Sequence, residues 1–404
     1  MRWSPTRRPA DLTEEPASER QPRAPHALRD VASFFLRLGF TAFGGPAAHI
    51  AMMEEEIVRR RGWLKKDEFL DLLGATNLIP GPNSTEMAIF IGYKRAGWPG
   101  LVLGGLCFIL PAALITLGLA MAYVRLGSVP EVGALLYGVK PIIMAIIVQA
   151  LWGLGRTAVK SPMLGVLAVL AVVASFAGLN ALVILLGAGL LAMAASGRLK
   201  TRGEGLHGIF GPGVSFLGAT SAAAAGVAAP VSLAGLFLVF LKVGAVLYGS
   251  GYVLLAFLRT DLVEHWHWLT ESQLLDAVAV GQVTPGPVFT TATFIGYVLH
   301  GRMGALLATV GIFLPSFVFV AVSSRVVPYL RRTRAAGAFL DGVNVASLAL
   351  MVTVTWFLGC SAIVDLITVS LGTMAALLLF RYRINSAWLV LAGGLIGVGR
   401  RWVQ

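Results

Sequence analysis

Two Pro-Gly-Pro sequences mark the places in this 404-residue chain where a ligand site is most readily built. Proline lacks a backbone donor and clashes with the preceding turn, so helices end at Pro80-Gly81-Pro82 and at Pro285-Gly286-Pro287. Asn83-Ser84-Thr85 are helix-capping types, and Thr290-Thr291 offer hydroxyl donors after the second break. A new helix start exposes unpaired N–H groups and about half a positive charge, which favours anions. Both breaks are therefore predicted anion sites, and a packing kink without a ligand is the alternative.

Glycine-rich sequences form a second pair of breaks, at Phe43-Gly44-Gly45-Pro46 and at Tyr248-Gly249-Ser250-Gly251. Glycine lets backbone N–H groups approach a ligand without an intervening side chain. Arg37 and Lys242 precede these breaks within apolar sequence. A cation at the bilayer centre costs about 2.5–3.5 kcal/mol, so it usually faces a cavity or a partner. We predict that Arg37 and Lys242 clamp an anion; the alternative is that they reach the membrane surface.

Further charged side chains lie near the breaks. Lys140 has the uncharged Asn344 as its counterpart later in the chain, which predicts one extra positive charge for a substrate. Four residues are candidates for carrying a proton: Glu86, Asp71, Asp276 and His49. Glu86 is either a proton carrier or a carboxylate favoured at a helix start. The two aspartates either pair with basic residues or titrate, and His49 either moves a proton or packs as a neutral ring.

The motifs recur because the chain contains one unit twice. The proline motifs at 80 and 285 are 205 residues apart, and the Phe-Ile-Gly-Tyr runs that begin at 90 and 294 are 204 apart. Membrane chains built from two copies of one unit are common among secondary transporters. In such chains, interruptions at corresponding positions indicate a binding site.

The composition predicts a helical membrane protein. Hydrophobic residues make up 57% of the chain, the mean hydropathy is +0.79, and residues 98–123 and 161–197 contain no charge. A membrane span needs about 20 apolar residues. The net charge of +12 comes from arginines and lysines in the tail and short loops, as the positive-inside rule predicts, and does not indicate a nucleic-acid partner. No nucleotide-binding motif, metal ligand set or cofactor site is found, so an ion gradient is the expected energy source.

We predict an all-α polytopic membrane protein with two homologous halves, inverted relative to each other, that contain Gly/Pro-broken or re-entrant helices. Residues 1–30 are expected to form a disordered basic cytoplasmic tail, 31–196 the first repeat, 197–230 a linker and 231–404 the second repeat. Inverted repeats need an odd number of membrane crossings between equivalent points, and the linker is the candidate for the additional membrane segment. Four full spans are expected in the first repeat, near 98–124, 132–156, 163–178 and 180–196. Four loops reverse their basic bias between the halves, which predicts the inversion.

Three motifs in order, Phe43-Gly44-Gly45-Pro46, Pro80-Gly81-Pro82-Asn83 and Phe90-Ile91-Gly92-Tyr93, resemble those of the chromate ion transporter family. The resemblance covers almost everything after residue 30 and is to the long-chain, two-domain members. It implies chromate export coupled to protons, sulfate as a structural analogue, and antiparallel halves.

The expected protein is thus a proton-coupled exporter of chromate in a bacterial inner membrane, not an enzyme, that confers chromate resistance. Its expected partners are chromate or sulfate, protons and the lipid bilayer, and a homo-oligomer is compatible with the sequence. Uptake of sulfate or another oxyanion is one alternative. A membrane enzyme or assembly protein without transport is the alternative from another class.

Overall fold

The fold repeats one order of helices twice. The computed structural model describes residues 24–43, 45–126, 130–197, 231–248, 253–330, 334–382, 384 and 386–403, and these residues contain helices and no β-strand. The first half comprises α1 (Ala24–Thr41), α2 (Gly45–Glu54), α3 (Lys66–Thr76), α4 (Asn83–Leu126), α5 (Pro130–Ala158), α6 (Pro162–Phe176) and α7 (Ala181–Gly197). The second comprises α8 (Leu233–Val246), α9 (Leu254–Leu258), α10 (Glu271–Val283), α11 (Thr291–Leu330), α12 (Arg334–Ala362), α13 (Leu366–Leu377) and α14 (Ser386–Val403). Short π-helical segments extend α2, α9 and α13: Glu55–Arg60, Arg259–His265 and Leu378–Tyr382.

Helices α4 and α11 are each a hairpin of a short and a long helix. The turn lies at Ala96-Gly97 in α4 and at His300-Gly301 in α11, with φ of +63° and +60° at the two glycines. The short arm of α4 packs so closely on the long arm that a Cβ on Gly92 would fall on the Gly100 carbonyl oxygen. At 13 residues, the arm 83–95 is about 20 Å long, less than the ~30 Å hydrocarbon core. The predicted Gly/Pro-broken or re-entrant helices are thereby confirmed.

The helices form two bundles, each containing parts of both halves. In the first, α1 packs on α4, α8 packs on α11, and the two hairpins pack on each other. In the second, α5 contacts α13 and α14, α12 contacts α6 and α7, and α5 contacts α12. Because the last helices of each half pack on the long helix of the other, the halves are interlocked.

Contacts between α5 and α12 show that the halves run in opposite directions. A Cβ on Gly155 would lie 3.6 Å from Leu348 Cδ2, and a Cβ on Gly359 would lie 3.8 Å from Met144 Cε. Residue numbers thus rise along α5 as they fall along α12, so the two helices are antiparallel. Since α5 and α12 are repeat equivalents, the inverted arrangement predicted from the loop charges is confirmed.

Four of the described helical elements contain a stretch long and apolar enough to cross a membrane: Glu131–Ala158, Gly337–Ala362, and the two hairpin elements Asn83–Leu126 and Val288–Ser323. Helices α6 and α7 have only 15 and 17 residues. At 1.5 Å per residue they extend about 22–26 Å, short of the hydrocarbon thickness. The segments predicted at 163–178 and 180–196 are thus helices at nearly those bounds, but each is shorter than a full span and packs on the long α12. The tail before residue 24 and the linker at 198–230 lie outside the described residues.

Candidate functional site

The proline break of each half is hydrogen-bonded to the glycine break of the other half. The Gly81 N–H donates to the Leu247 carbonyl at 2.7 Å, and the Gly286 N–H donates to the Ala42 carbonyl at 2.8 Å. Gly81 and Gly286 have φ of +139° and +88°, where a side chain would be strained. Each proline break therefore contacts the glycine break of the other half. Both glycine N–H groups are occupied in this conformation, so their binding to an anion stays a prediction that requires the breaks to separate.

A cavity of about 1030 Å³ lies beside these breaks. All four break regions contribute to its wall, through Pro46, Asn77, Leu78, Asn83, Val253 and Gln282. Helices α5 and α12 of the other bundle form the opposite wall. The cavity thus separates the hairpin bundle from the α5–α12 bundle, and both halves of the chain line it. A site at the interface of inverted repeats, beside broken helices, is the arrangement found in secondary transporters.

Side-chain amides supply hydrogen-bonding groups to the cavity. Asn77 and Gln282 occupy equivalent positions, each three residues before its proline motif. The Asn83 Nδ2 group donates to Asn77 Oδ1 at 2.7 Å, whereas Gln282 Nε2 is buried without a hydrogen-bond partner among the described residues. Asn344 also lines the cavity. Asn83 and Asn344 were predicted site residues; Asn77 and Gln282 were not, although their shared spacing from the prolines could have identified them.

The predicted basic clamp forms two equivalent ion pairs instead. Arg37 Nη2 lies 3.4 Å from Glu56 Oε2, and Lys242 Nζ lies 2.7 Å from Asp261 Oδ2. The Arg61 guanidinium donates to Glu56 at 2.8 Å and holds the pKa of that carboxyl below its ordinary value, so Glu56 is a charged partner for Arg37. The Arg37 and Lys242 side chains are 62% and 44% exposed, and neither lines the cavity. This placement agrees with the surface alternative, and a role in anion binding stays a prediction.

Lys140 is held by the second half rather than facing the cavity. Its Nζ lies 2.9 Å from Asp276 Oδ1 and donates to Ser272 Oγ at 2.8 Å. The Tyr123 hydroxyl donates to the other Asp276 oxygen at 3.0 Å. These contacts link α5 to α10. Of the two alternatives for Asp276, pairing with a basic residue or titration, this structure agrees with pairing. The charged pair that does line the cavity is Lys160–Asp341, at 2.7 Å, which the sequence reasoning missed.

Two of the four predicted hydroxyl donors, Thr290 and Thr291, are hydrogen-bonded inside the protein. Thr290 Oγ1 donates to the Pro287 carbonyl at 2.9 Å and accepts from Thr116 Oγ1 at 3.3 Å. Thr291 Oγ1 donates to the Val288 carbonyl at 2.8 Å. Ser84 and Thr85 are buried in the first turn of α4, and the Thr85 hydroxyl has no hydrogen-bond partner among the described residues.

The remaining candidates have diverse surroundings. His49 is buried, its Nε2–H donates to the Ala42 carbonyl at 3.1 Å, and its ring packs edge-on against Phe108. Asp71 is exposed and has a partner. Gly45 begins α2 with φ of +78°. Gly44, Gly249 and Ser250 lie outside the described residues.

The chromate transporter family model matches the chain twice, over residues 29–193 and 234–398. The chain belongs to the chromate transporter family. It is similar to the chromate transport protein of Cupriavidus metallidurans, with 32% identity over 92% of this chain and 93% of that protein. It is also 31% identical to the chromate transport protein of Pseudomonas aeruginosa, over 96% of both chains. A probable chromate transport protein of Synechococcus elongatus is 29% identical over 87% of this chain and 89% of its own length. No solved structure matches the chain significantly.

The two family matches coincide with the two structural halves and leave the linker between them unmatched. Membership in the family therefore agrees with the fold: a polytopic helical membrane protein with a repeated, broken-helix unit. The family is one of transporters, which fits a cavity between two bundles better than it fits a catalytic centre.

Proposed function

We propose that this protein is a secondary active transporter that exports chromate from the bacterial cytoplasm in exchange for protons and so confers resistance to chromate. The observation that carries the proposal is the cavity to which all four broken segments contribute. We place the protein in the inner membrane with its N-terminal tail in the cytoplasm. The family membership and the similarity to chromate transport proteins support chromate as the substrate.

The chemistry of the cavity suits a tetrahedral oxyanion. Chromate oxygens only accept hydrogen bonds, and amide side chains such as Asn77, Gln282 and Asn344 each provide two N–H donors. Helix α4 begins at Asn83 in the cavity wall, so the positive end of its short arm faces this region. Lys160 lines the cavity with a full positive charge, and would exchange its Asp341 partner for the substrate.

Export is the direction favoured by the membrane potential. Moving one elementary charge across 100 mV changes the free energy by about 2.3 kcal/mol, so a dianion gains about twice that on leaving a cell with a negative interior. Proton entry adds a second driving force. Because the two halves are inverted equivalents, rocking of one bundle against the other can expose the same cavity to either side in turn.

The test is chromate flux in proteoliposomes that contain the purified protein and carry a pH gradient. We expect chromate to accumulate on the acidic side, because chromate and protons move in opposite directions, and dissipating the gradient should abolish the accumulation. Flux that is unchanged without the gradient would remove the coupling. Accumulation of labelled sulfate with no chromate flux would favour the sulfate alternative. Chemical conversion of the substrate, followed by the chromate absorbance, would favour an enzyme.

A further inference from the structure

We infer that Glu86 is the residue that carries the coupling proton, in a closed pocket that it shares with the Ser316 hydroxyl beneath the Gly81 break. The inference rests on the proposed function, since it assigns the proton-binding group of that transport cycle. It selects one residue from the four titratable candidates and adds Ser316, which the sequence analysis did not identify.

The pocket is defined by polar atoms that lack partners. Glu86 is 0% exposed, and neither of its carboxyl oxygens has a hydrogen-bond partner among the described residues. Ser316 from α11 is also 0% exposed, and its Oγ lacks a partner as well. Both side chains converge on Gly81: a Cβ there would fall on Glu86 Oε1 and would lie 2.9 Å from Ser316 Oγ. The Glu86 carboxyl and the Ser316 hydroxyl thus both occupy the space that a side chain at position 81 would fill.

The surroundings of Glu86 require its neutral form in this conformation. A carboxylate buried without a cation or a donor loses its hydration with nothing to replace it. None of the ion pairs in the described part of the chain involves Glu86. The Tyr248 hydroxyl of the opposite half lies within electrostatic range of the carboxyl. A proton on Glu86 is therefore what keeps the closed pocket stable.

The second half lacks this pair of buried polar side chains. When the Phe-Ile-Gly-Tyr runs are aligned, the equivalent of Glu86 is Thr290, whose hydroxyl is satisfied by Pro287 and Thr116. The equivalent of Ser316 is Ala112, whose methyl group would lie 2.8 Å from a Cβ on Gly286. Both polar members of the first pocket are thus replaced by satisfied or apolar groups in the second. If the break needed a buried acid for its structure alone, both halves would have one. The acid therefore has a role that is needed once per chain.

The other candidates are already engaged. Asp276 is paired with Lys140, His49 donates to the Ala42 carbonyl, and Asp71 is exposed and partnered. Glu86 also lies next to the Gly81–Leu247 hydrogen bond that closes the break between the halves. When that bond opens, water reaches the carboxyl, its O–H bond breaks, and the proton passes to water. The carboxylate takes up a proton from water on the opposite side before the pocket closes again.

The decisive experiment compares Glu86→Gln with the wild type in proteoliposomes. Glutamine keeps the size of the side chain and mimics the protonated acid without releasing a proton. We expect exchange of internal for external chromate to persist, while accumulation driven by a pH gradient falls at least about tenfold, because a neutral residue cannot carry the proton. Glu86→Asp should restore part of the gradient-driven accumulation. The matched control is Glu55→Gln, since the Glu55 side chain is 45% exposed and should leave accumulation unchanged.

Gradient-driven accumulation by Glu86→Gln at the wild-type rate would overturn the inference while leaving the proposed function intact. If the wild type itself shows no gradient-driven flux, the proposed function fails instead. A sodium gradient that drives wild-type transport at equal pH, with loss in Glu86→Gln, would make Glu86 a cation ligand and also overturn the inference.

A second measurement keeps the inference testable if the variant does not fold. Hydrophobic carbodiimides modify protonated carboxyl groups in apolar surroundings, and mass spectrometry locates the modified residue. In the wild-type protein we expect Glu86 to be modified, and we expect alkaline pH to decrease the modification. Inhibition of transport with modification elsewhere and an unmodified Glu86 would contradict the inference.

Discussion

Gln282 is a cavity residue with an unused hydrogen-bond donor. Its Nε2 group is buried without a partner, while its equivalent Asn77 accepts a hydrogen bond from Asn83. An unpaired amide donor in a cavity wall is expected to bind the substrate. Hydrogen bonds to charged groups contribute about 1.5–3 kcal/mol. We therefore predict that Gln282→Leu raises the KM for chromate roughly ten- to hundredfold, measured as initial flux in vesicles.

Gln149 provides the matched control for this prediction. It lines the same cavity, but its Nε2 already donates to the Leu379 carbonyl at 3.0 Å. Gln149→Leu is expected to lower the thermal stability of the purified protein and to change KM much less than Gln282→Leu. Equal KM values for Gln282→Leu and wild type would show that the amide does not contact the substrate.

The sequence predicted where helices break better than it predicted which side chains pair. Proline and glycine chemistry is local, so the breaks at 80–82 and 285–287 could be predicted from a few consecutive residues. Charge pairing is not local: Arg37 meets Glu56 only because α2 and its π-helical extension return the chain to α1. A basic residue in apolar sequence therefore indicated a need for a partner, but not whether that partner is a substrate or a carboxylate.

At the scale of elements, the hairpin of α4 depends on glycine at its inner face. A Cβ on Gly92 would collide with the Gly100 carbonyl, whereas a Cβ on Gly118, farther along the same helix, would meet nothing within 4 Å. We predict that Gly92→Ala lowers the free energy of unfolding by about 1–3 kcal/mol, as overpacking does. The thermal midpoint in detergent is the measurement. Gly118→Ala should leave it unchanged, and a similar shift in both variants would mean that helix propensity, not the close approach, matters.

A second element-scale prediction concerns the link between α5 and α10. The Lys140 and Asp276 side chains are 17% and 7% exposed, so removing one partner leaves a largely buried charge. Breaking a buried pair costs about 3–5 kcal/mol. We expect Lys140→Gln to lower the thermal midpoint strongly, and Lys140→Gln combined with Asp276→Asn to recover most of the loss.

The Lys160–Asp341 pair tests the role of burial in that result. Its side chains are 62% and 33% exposed, and exposed pairs contribute about 0–1 kcal/mol. Lys160→Gln should therefore lower the thermal midpoint little, although it should weaken chromate transport because Lys160 lines the cavity.

For the Lys140–Asp276 pair, a double variant Lys140→Gln with Asp276→Asn that is as unstable as Lys140→Gln alone would contradict the prediction. It would show that the stability is lost through packing and not through an unpaired charge.

Helix bounds were predictable from the sequence, whereas the capacity of a helix to cross the membrane was not. The span predicted to begin near residue 98 does begin directly after the turn at Ala96-Gly97, where glycine and proline are close together in the sequence. The segments predicted at 163–178 and 180–196 have nearly the bounds of α6 and α7; what the sequence reasoning missed is that helices of 15 and 17 residues are shorter than the hydrocarbon thickness. The capping residue Ser161, which accepts from the Leu164 N–H, and the left-handed Gly178 set the limits of α6.

For the whole molecule, the antiparallel packing of α5 and α12 places equivalent loops on opposite sides of the membrane. The π-helical segments Glu55–Arg60 and Arg259–His265 are such equivalents, and the first belongs to the loop rich in basic residues. Basic loops remain in the cytoplasm. In a variant without Cys107 and Cys360, we predict that Arg60→Cys reacts with a membrane-impermeant maleimide only from the cytoplasmic side, and His265→Cys only from outside.

Both positions suit labelling, since the Arg60 side chain is 67% exposed and His265 is exposed. Inside-out vesicles and whole cells give the two accessibilities separately, and permeabilised cells, in which both cysteines should react, serve as the control. The symmetric form of the transport cycle proposed above rests on this result, because inverted halves that exchange conformations convert an inward-facing cavity into an outward-facing one. Labelling of both cysteines from the same side would contradict the inversion and, with it, the symmetric transport cycle.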